Sequence, residues 1–242
     1  MMIIVSIIFG VIVSANTNKL PNEITPCNTK DPNLSECVMN NINCLRSQLL
    51  DGIPQLNFPS LNPLKIDTFQ ITARKQFESN FSNAVVYDVD KFNIKYLEVD
   101  LEKMCWSDQM EFDAVYVEAD YTLDGEIASM EFHDYSGYGS ANFFGIHANN
   151  IITLDTCTVD GEKYLNIKDI SVDVHIDNYE MTLKGLEKYG ICNEYASKMI
   201  NAASHRLLKE FKDSINSNVR KILSDLYGRI FETIPLNELF AF

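Results

Sequence analysis

Four histidines are where chemistry would start in this chain, and none stands in a pattern that a reaction needs. His147 and His175 fall on the outward parity of two strand-like runs, and His205 sits beside an apolar helical stripe, so each reads as solvated or at a core edge. His133-Asp134 forms a diad, but no G-x-S-x-G, H-E-x-x-H or Ser-x-x-Lys run accompanies it. Glycoside chemistry needs two carboxylates, and the candidates Asp113, Glu118 and Asp120 alternate on a face that should be wet. The cysteines include no C-x-x-C pair, no histidine stands at ligand spacing, and glycine-rich phosphate loops are absent. No catalytic residues, no metal site and no cofactor are therefore expected.

What the chain has in excess is aromatic surface, fourteen Phe and eleven Tyr. Most of these fill a core, but a sheet curled around one helix encloses a long tube, and an unfilled apolar tube takes up an apolar ligand. The residues expected to line it are Val115, Val117, Tyr121, Phe132, Tyr135, Phe144, Ile146, Ile152, Leu207, Phe211 and Ile215. A Tyr hydroxyl such as that of Tyr121 or Tyr135 would hold the polar end of a lipid-like guest.

The element that must position these residues is a proline-free stretch over residues 193–233. Met199, Ile200, Ala203, Leu207, Leu208, Phe211, Ile215, Val219, Ile222, Leu223, Leu226, Ile230 and Phe231 recur there in steps of three and four. That period predicts one long amphipathic helix, started at Asn193-Glu194 and ended by Pro235. A short first helix follows Asp31-Pro32, capped by Ser35 or Asn33 and stopped by Gly52 and Pro54. Between the two helices the chain reads as antiparallel strands: Val115, Val117, Ala119, Tyr121 and Leu123 alternate with polar residues, and Phe144, Ile146, Ala148, Ile152 and Leu154 share one parity. Asp124-Gly125 and Asp160-Gly161 have the composition of tight hairpin turns. The apolar parity slips by one near Lys168 and Asp169, which predicts a bulge. The expected fold is α+β: one long C-terminal helix wrapped by a highly curved antiparallel sheet, with a short N-terminal helix, as a single domain over residues 16–242.

Residues 1–15 form an uncharged apolar run ending in Val13-Ser14-Ala15, read as a secretory signal peptide cleaved near Ala15. It is shorter than the ~20 residues a membrane span needs. A formal net charge of -14 speaks against nucleic acid and against anionic membrane surfaces. Cys27, Cys37, Cys44, Cys105, Cys157 and Cys192 are an even set in an oxidising compartment, so disulfides are expected, with fifteen connectivities open for six cysteines. Asn33-Leu34-Ser35 and Asn80-Phe81-Ser82 are glycosylation sequons, which places Asn33 and Asn80 in exposed loops.

Several short motifs, in order, carry a resemblance. They are Leu20-Pro21 before Cys27 and Cys37, Gly52-Ile53-Pro54, Asn62-Pro63-Leu64, Phe92-Asn93-Ile94 before Asp100, Tyr121-Thr122-Leu123-Asp124-Gly125, Asp160-Gly161-Glu162-Lys163-Tyr164-Leu165, and the closing Ile234-Pro235-Leu236-Asn237-Glu238-Leu239-Phe240. With them the chain resembles the insect juvenile-hormone-binding and takeout family of secreted lipid carriers over nearly all of its mature length. The resemblance implies an internal apolar cavity for a juvenile hormone or another lipid-like molecule. It also implies a Cys27 to Cys37 bridge and a second one joining Cys157 to Cys192. Cys44 and Cys105 depart from the family pattern, either bridging to each other or remaining free. The polar run from Met104 to Gln109, with the single Trp106, departs as well, and Ala119 stands where a glycine is common.

The expected function is a secreted, extracellular, monomeric carrier of a hydrophobic small molecule such as juvenile hormone or a fatty acid, with no nucleic acid partner and no stable membrane insertion. Burying roughly 300 Å² of apolar ligand surface at ~25 cal/mol per Å² offers on the order of 7 kcal/mol before ordering costs. Two other readings stand beside it: an interaction protein with a filled core acting through its acidic face, and a hydrolase in which His133 and a carboxylate converge on a serine.

Overall fold

A computed structural model describes residues 24–73 and 77–242. The expected signal peptide therefore lies outside the described residues. In chain order the elements are β1 (Cys27–Asn28), α1 (Leu34–Asp51), β2 (Leu64–Ala73), β3 (Phe77–Tyr87), β4 (Asn93–Asp100), β5 (Cys105–Ile127), β6 (Met130–Val159), β7 (Glu162–Lys184), α2 (Asn193–Ala202), α3 (Ser204–Thr233), α4 (Leu236–Leu239) and β8 (Phe240–Ala241). No proline occurs between Leu64 and Ile234, so nothing in the backbone interrupts the ladders or the helices. β5 and β7 reach 23 residues each and β6 reaches 30.

The main sheet is antiparallel, in the order β2-β3-β5-β6-β7, and β4 pairs with the first part of β5 on the edge that β3 takes further along. α3 packs against both β7 and β2, the two outer strands, so the sheet curls until its edges meet the helix. An exposed strand edge is a row of unpaired amides and carbonyls that must be satisfied. Side chains of α2 and α3 do this on both sides. On β7, Ser197 accepts from the Leu183 amide (2.9 Å), Asn201 accepts from the Met181 amide (2.8 Å) and donates to its carbonyl (2.9 Å), and Asn216 accepts from the Val174 amide (2.9 Å). On β2, Ser214 accepts from the Thr72 amide (3.2 Å) and Asn218 donates to the Gln70 carbonyl (2.7 Å).

The helix expected over residues 193–233 is two helices, broken at Ala203 (φ -95°, ψ 6°). The break separates α2, which packs on β7, from α3, which reaches both sheet edges. The expected turn at Asp124-Gly125 is instead continuous strand in β5, opposite a bulge in β6: Leu123 faces Tyr135 and Gly125 faces Phe132, so His133 and Asp134 together oppose Asp124. The chain reverses at Ala128 and Ser129, both with positive φ (50° and 61°). Asp160 and Gly161 do form the second hairpin turn, at φ 52° and 87°. Lys168 is the extra residue of the bulge expected there, since Thr153 faces Asp169 and Leu154 faces Ile167.

A second irregularity crosses the whole sheet. On β5 the buried positions are Trp106 and Asp108 at one end but Ala119, Tyr121 and Leu123 at the other; on β6 Ala141 gives way to Ala148, Asn150 and Ile152; on β7 Ile170 and Val174 give way to Tyr179 and Leu183. These three strands change parity, and the change falls on one transverse line through Asp113, Gly145 and Asp177. Gly145 has φ +58°, and a Cβ there would run into the Asp177 carboxyl, so any other residue is strained and must displace that side chain. The single parity expected from Phe144 to Leu154 is therefore cut at Gly145: Phe143 packs into the core and Phe144 takes the opposite face.

At the N-terminal side, Asn33 begins α1, while the Ser35 hydroxyl accepts from the Val99 amide (3.0 Å) and fastens the helix to β4. Cys27 and Cys37 form the expected disulfide, tying β1 to α1, and β1 pairs with β8 to bring the two ends of the described chain together. The expected Cys157 to Cys192 bridge is not formed; both thiols are free and exposed. Cys157 lies opposite Tyr164 at the start of β7 and Cys192 follows its far end, on the order of 60 Å away along the strand. Cys44 and Cys105 are free as well. Asn33 is exposed, and so is Asn80, which lies on strand β3 and not in the loop expected for it.

Candidate functional site

The space between α3 and the sheet has buried clusters near both ends of the helix and half-buried apolar side chains between them. Near the start of α3, Leu207 joins Ala196 and Ile200 of α2 against Phe77, Tyr121, Leu123, Phe132, Tyr179 and Leu183. Near its end, Phe231 packs with Trp106, Ile152, Leu154, Leu165, Ile170 and Phe240, beside a third cluster under α1 that holds Ile53, Leu56, Phe58, Leu64 and Ile234. Between Leu207 and Phe231, over about 36 Å of helix, no residue of α3 is buried as a whole, although the Tyr227 hydroxyl is. Phe211, Ile215, Val219, Ile222, Leu223 and Leu226, the apolar stripe of that stretch, are only half-buried. The same holds across from it, for Phe112, Val115 and Val117 on β5 and Phe143 on β6. A stripe facing a filled interior would be buried along its whole length.

The residues named from sequence divide among these regions. Tyr121, Phe132, Tyr135, Leu207 and Phe211 belong to the cluster at the start of α3, Ile152 to the one at its end, and Val115 and Val117 to the third. Ile146 and Phe144 are half-buried and join none of them. Ile215 lines a surface groove of about 330 Å³ at the seam of β7 and α3, with Val174, Ile176 and Leu208 as its apolar wall and His175, His205, Lys209 and Lys212 on its rim. Beside this groove Lys212 pairs with Asp173 at 2.7 Å and holds that carboxyl below the usual carboxylate range. A wider concavity of about 650 Å³ is lined by Ser217, Arg220, Lys221, Ser224, Asp225, Gly228, Arg229 and Glu232, mostly polar and charged residues.

The Tyr121 hydroxyl is not free for a ligand. It donates to the Lys184 carbonyl at 2.9 Å, and burial pushes its pKa well above the ordinary value. Gly137 makes the contact possible, since a Cβ there would collide with both groups. Tyr135 stacks on Tyr189 with ring centroids 4.1 Å apart and meets Phe132 edge-on.

The polar group that does face the interior was not expected from sequence. Asp108 and Asn150 stand opposite each other on β5 and β6, 3% and 2% exposed, between the buried Trp106 and Ile152. Asn150 Nδ2 donates to Asp108 Oδ1 at 2.7 Å. Asp108 Oδ2, Asn150 Oδ1 and Trp106 Nε1 are buried without a hydrogen bond of good geometry, although the Trp106 indole and the Tyr227 hydroxyl stand near the Asp108 carboxyl. Burial pushes the Asp108 carboxyl up to about 6, against hydrogen-bonding groups on Asn150, Trp106 and Tyr227 that favour its charge. Burial, and then the neighbouring carboxylate, raise the Tyr227 hydroxyl well above its usual value. The signal available in the sequence was parity: Asp108 shares that of Trp106, and Asn150 that of Ala148 and Ile152.

Among the described residues no group of three or more His, Cys, Asp or Glu side chains is placed to hold a metal ion, and no helix is long and apolar enough to cross a membrane. His133 lies on the surface, near Glu131 and edge-on to Tyr135.

Comparison with known proteins adds a family to this geometry. The crystal structure of Epiphyas postvittana Takeout 1 is similar with a TM-score of 0.74 at 16% identity, covering 90% of this chain and 100% of that one. A crystal structure of lipopolysaccharide binding protein aligns with a TM-score of only 0.31 at 12% identity, over 84% of this chain and 40% of that one. A search of curated proteins gave no match. The sequence model for haemolymph juvenile hormone binding protein matches residues 4–241. By that match over almost its whole length, and by a sheet curled onto a long helix as in Takeout 1, the chain belongs to the haemolymph juvenile hormone binding protein family.

Proposed function

We propose that this protein is a secreted, monomeric, non-enzymatic carrier that holds one hydrophobic small molecule between the middle of α3 and the inner face of the sheet. What carries the reading is the half-buried stripe from Phe211 to Leu226, facing Phe112, Val115, Val117 and Phe143, between two packed ends. Those side chains present apolar surface that a guest removes from water at ~25 cal/mol per Å², with no charged contact required. Membership of a family described as hormone-binding supports the same reading. Val115, Val117, Ile146 (paired with Phe112), Phe211 and Ile215 are the sequence-named residues nearest this stretch; the others stand at its ends or, for Phe144, on the outer face. Secretion directed by residues 1–15 and glycans on exposed Asn33 and Asn80 complete the proposal.

The test is a fluorescence titration with N-phenylnaphthylamine, a neutral apolar dye that brightens out of water. Saturable, blue-shifted uptake at one dye per chain is expected. Emission that rises only linearly with dye would refute the carrier and favour a filled interior acting through the acidic surface.

A further inference from the structure

Three polar atoms facing an apolar interior make an unusual inner surface for a carrier of purely apolar molecules. Buried polar groups normally find partners, and an unpaired one costs about 1–3 kcal/mol. Here two acceptors, Asp108 Oδ2 and Asn150 Oδ1, and one donor, the Trp106 indole N–H, lie close together on the same inner face. The rest of the wall is apolar, Leu97 and Val99 on β4, Val172 on β7 and Leu223 on α3, apart from the Tyr227 hydroxyl, a further donor beside Asp108. Val99 is paired with Trp106, Leu97 with Asp108 and Val172 with Asn150, so the polar atoms sit in the middle of the ladder and not at a rim.

We infer that Asp108, Asn150 and Trp106 form a headgroup site for a molecule with an apolar body and a terminal hydroxyl. This rests on the carrier reading and names the polar end of its cargo. A hydroxyl donates once and accepts twice, so it gives its proton to Asp108 Oδ2 or Asn150 Oδ1 and takes the Trp106 N–H. An ester or epoxide oxygen only accepts; it satisfies Trp106 and leaves the carboxylate unpaired. A free carboxylate fits worst, because two like charges a hydrogen bond apart in a dry site cannot both stay ionised. The groups facing Asp108 from the elements packed around it are Leu97 on β4, Trp106 on β5, Asn150 on β6 and Tyr227 on α3. None of these carries a positive charge to offset that repulsion.

The site selects by headgroup, which a matched ligand series reads directly. A long-chain alcohol, the acid of the same chain length and its methyl ester are each used to displace N-phenylnaphthylamine from the whole protein, from Asp108→Asn and from Trp106→Phe. At neutral pH the alcohol should displace the dye at a concentration at least tenfold lower than the acid. Asp108→Asn should shrink that ratio to within about twofold by relieving the acid's repulsion. Trp106→Phe should weaken alcohol and ester together and leave the acid last. Each ratio is internal to one variant, so a change in folded fraction cancels. Equal displacement by alcohol and acid, or a ratio that Asp108→Asn leaves untouched, would overturn the headgroup site while leaving the carrier standing, with the three atoms serving an internal water. Failure of the dye itself to bind would overturn the carrier reading and this site with it.

Discussion

Replacing Asp108 by Asn should stabilise the protein at neutral pH and leave its stability in acid unchanged. The carboxyl is 3% exposed, and burial raises it from 3.8 to about 6, so the native state holds this proton more tightly than the unfolded chain does. Between those two values the native state binds the extra proton, and stability falls as pH rises through the window from about 4 to about 6. A difference of roughly two pKa units at 1.36 kcal/mol each is a loss of about 3 kcal/mol, complete above the folded value. The variant cannot ionise, and its amide oxygen keeps accepting from Asn150 Nδ2. Other carboxylates act with the opposite sign: Lys103 beside Asp100, Lys95 beside Glu111 and Lys198 beside Glu194 lower those pKa values, so their contribution is present at neutral pH and fades in acid. They are common to both proteins and cancel in the difference. Urea unfolding of the two proteins across the acid range, with equal slopes, gives that difference. The variant should be more stable by about 3 kcal/mol at neutral pH and equal to the parent near pH 4. A difference that stays flat with pH, or a parent that is the more stable at neutral pH, would refute the reasoning about a buried, under-paired carboxylate.

The remaining expectations concern the sheet, the interior and the thiols. Gly145→Ala forces a side chain into the Asp177 carboxyl at a positive φ and should cost about 1–3 kcal/mol in urea unfolding; no loss would mean the line through Asp113 and Asp177 does not depend on glycine. Val117→Trp adds bulk to the half-buried stretch, so it should change stability by less than about 1 kcal/mol while weakening dye uptake; a loss of several kcal/mol would indicate a filled interior. Alkylation of the unreduced, denatured protein followed by mass measurement should find four labels, on Cys44, Cys105, Cys157 and Cys192; two labels would restore the second bridge that the resemblance suggested.

Features with a local cause could be read from the sequence, and features set by pairing across the sheet could not. Asp160-Gly161 was legible as a turn because both residues accept positive φ, and the bulge at Lys168 was legible because the apolar parity slips there. Asp124-Gly125 carries the same turn signal, yet it stays within β5 opposite a bulge in β6, and the reversal falls on Ala128-Ser129, which no composition rule would choose. The parity change at Gly145 was hidden because a glycine on an expected outer face looks like any other outer residue; only its neighbours Asp113 and Asp177 reveal the line. Ala203 breaks the long helix without a Gly or Pro to announce it. Asn201, Asn216 and Asn218 fall between the apolar positions of the helical stripe, where nothing in the sequence distinguishes them from solvated residues, yet they close the sheet edges. Asp108 was missed for the related reason that a period counted on apolar residues passes over a polar one on the same face.

The central claim is that the interior beside the middle of α3 holds a guest. Native mass spectrometry of the purified protein tests it most directly, before and after extraction with organic solvent. The account predicts a one-to-one adduct that disappears on extraction and returns when an apolar ligand is added back. A bare chain mass in every sample, with no adduct regained at saturating ligand, would contradict it.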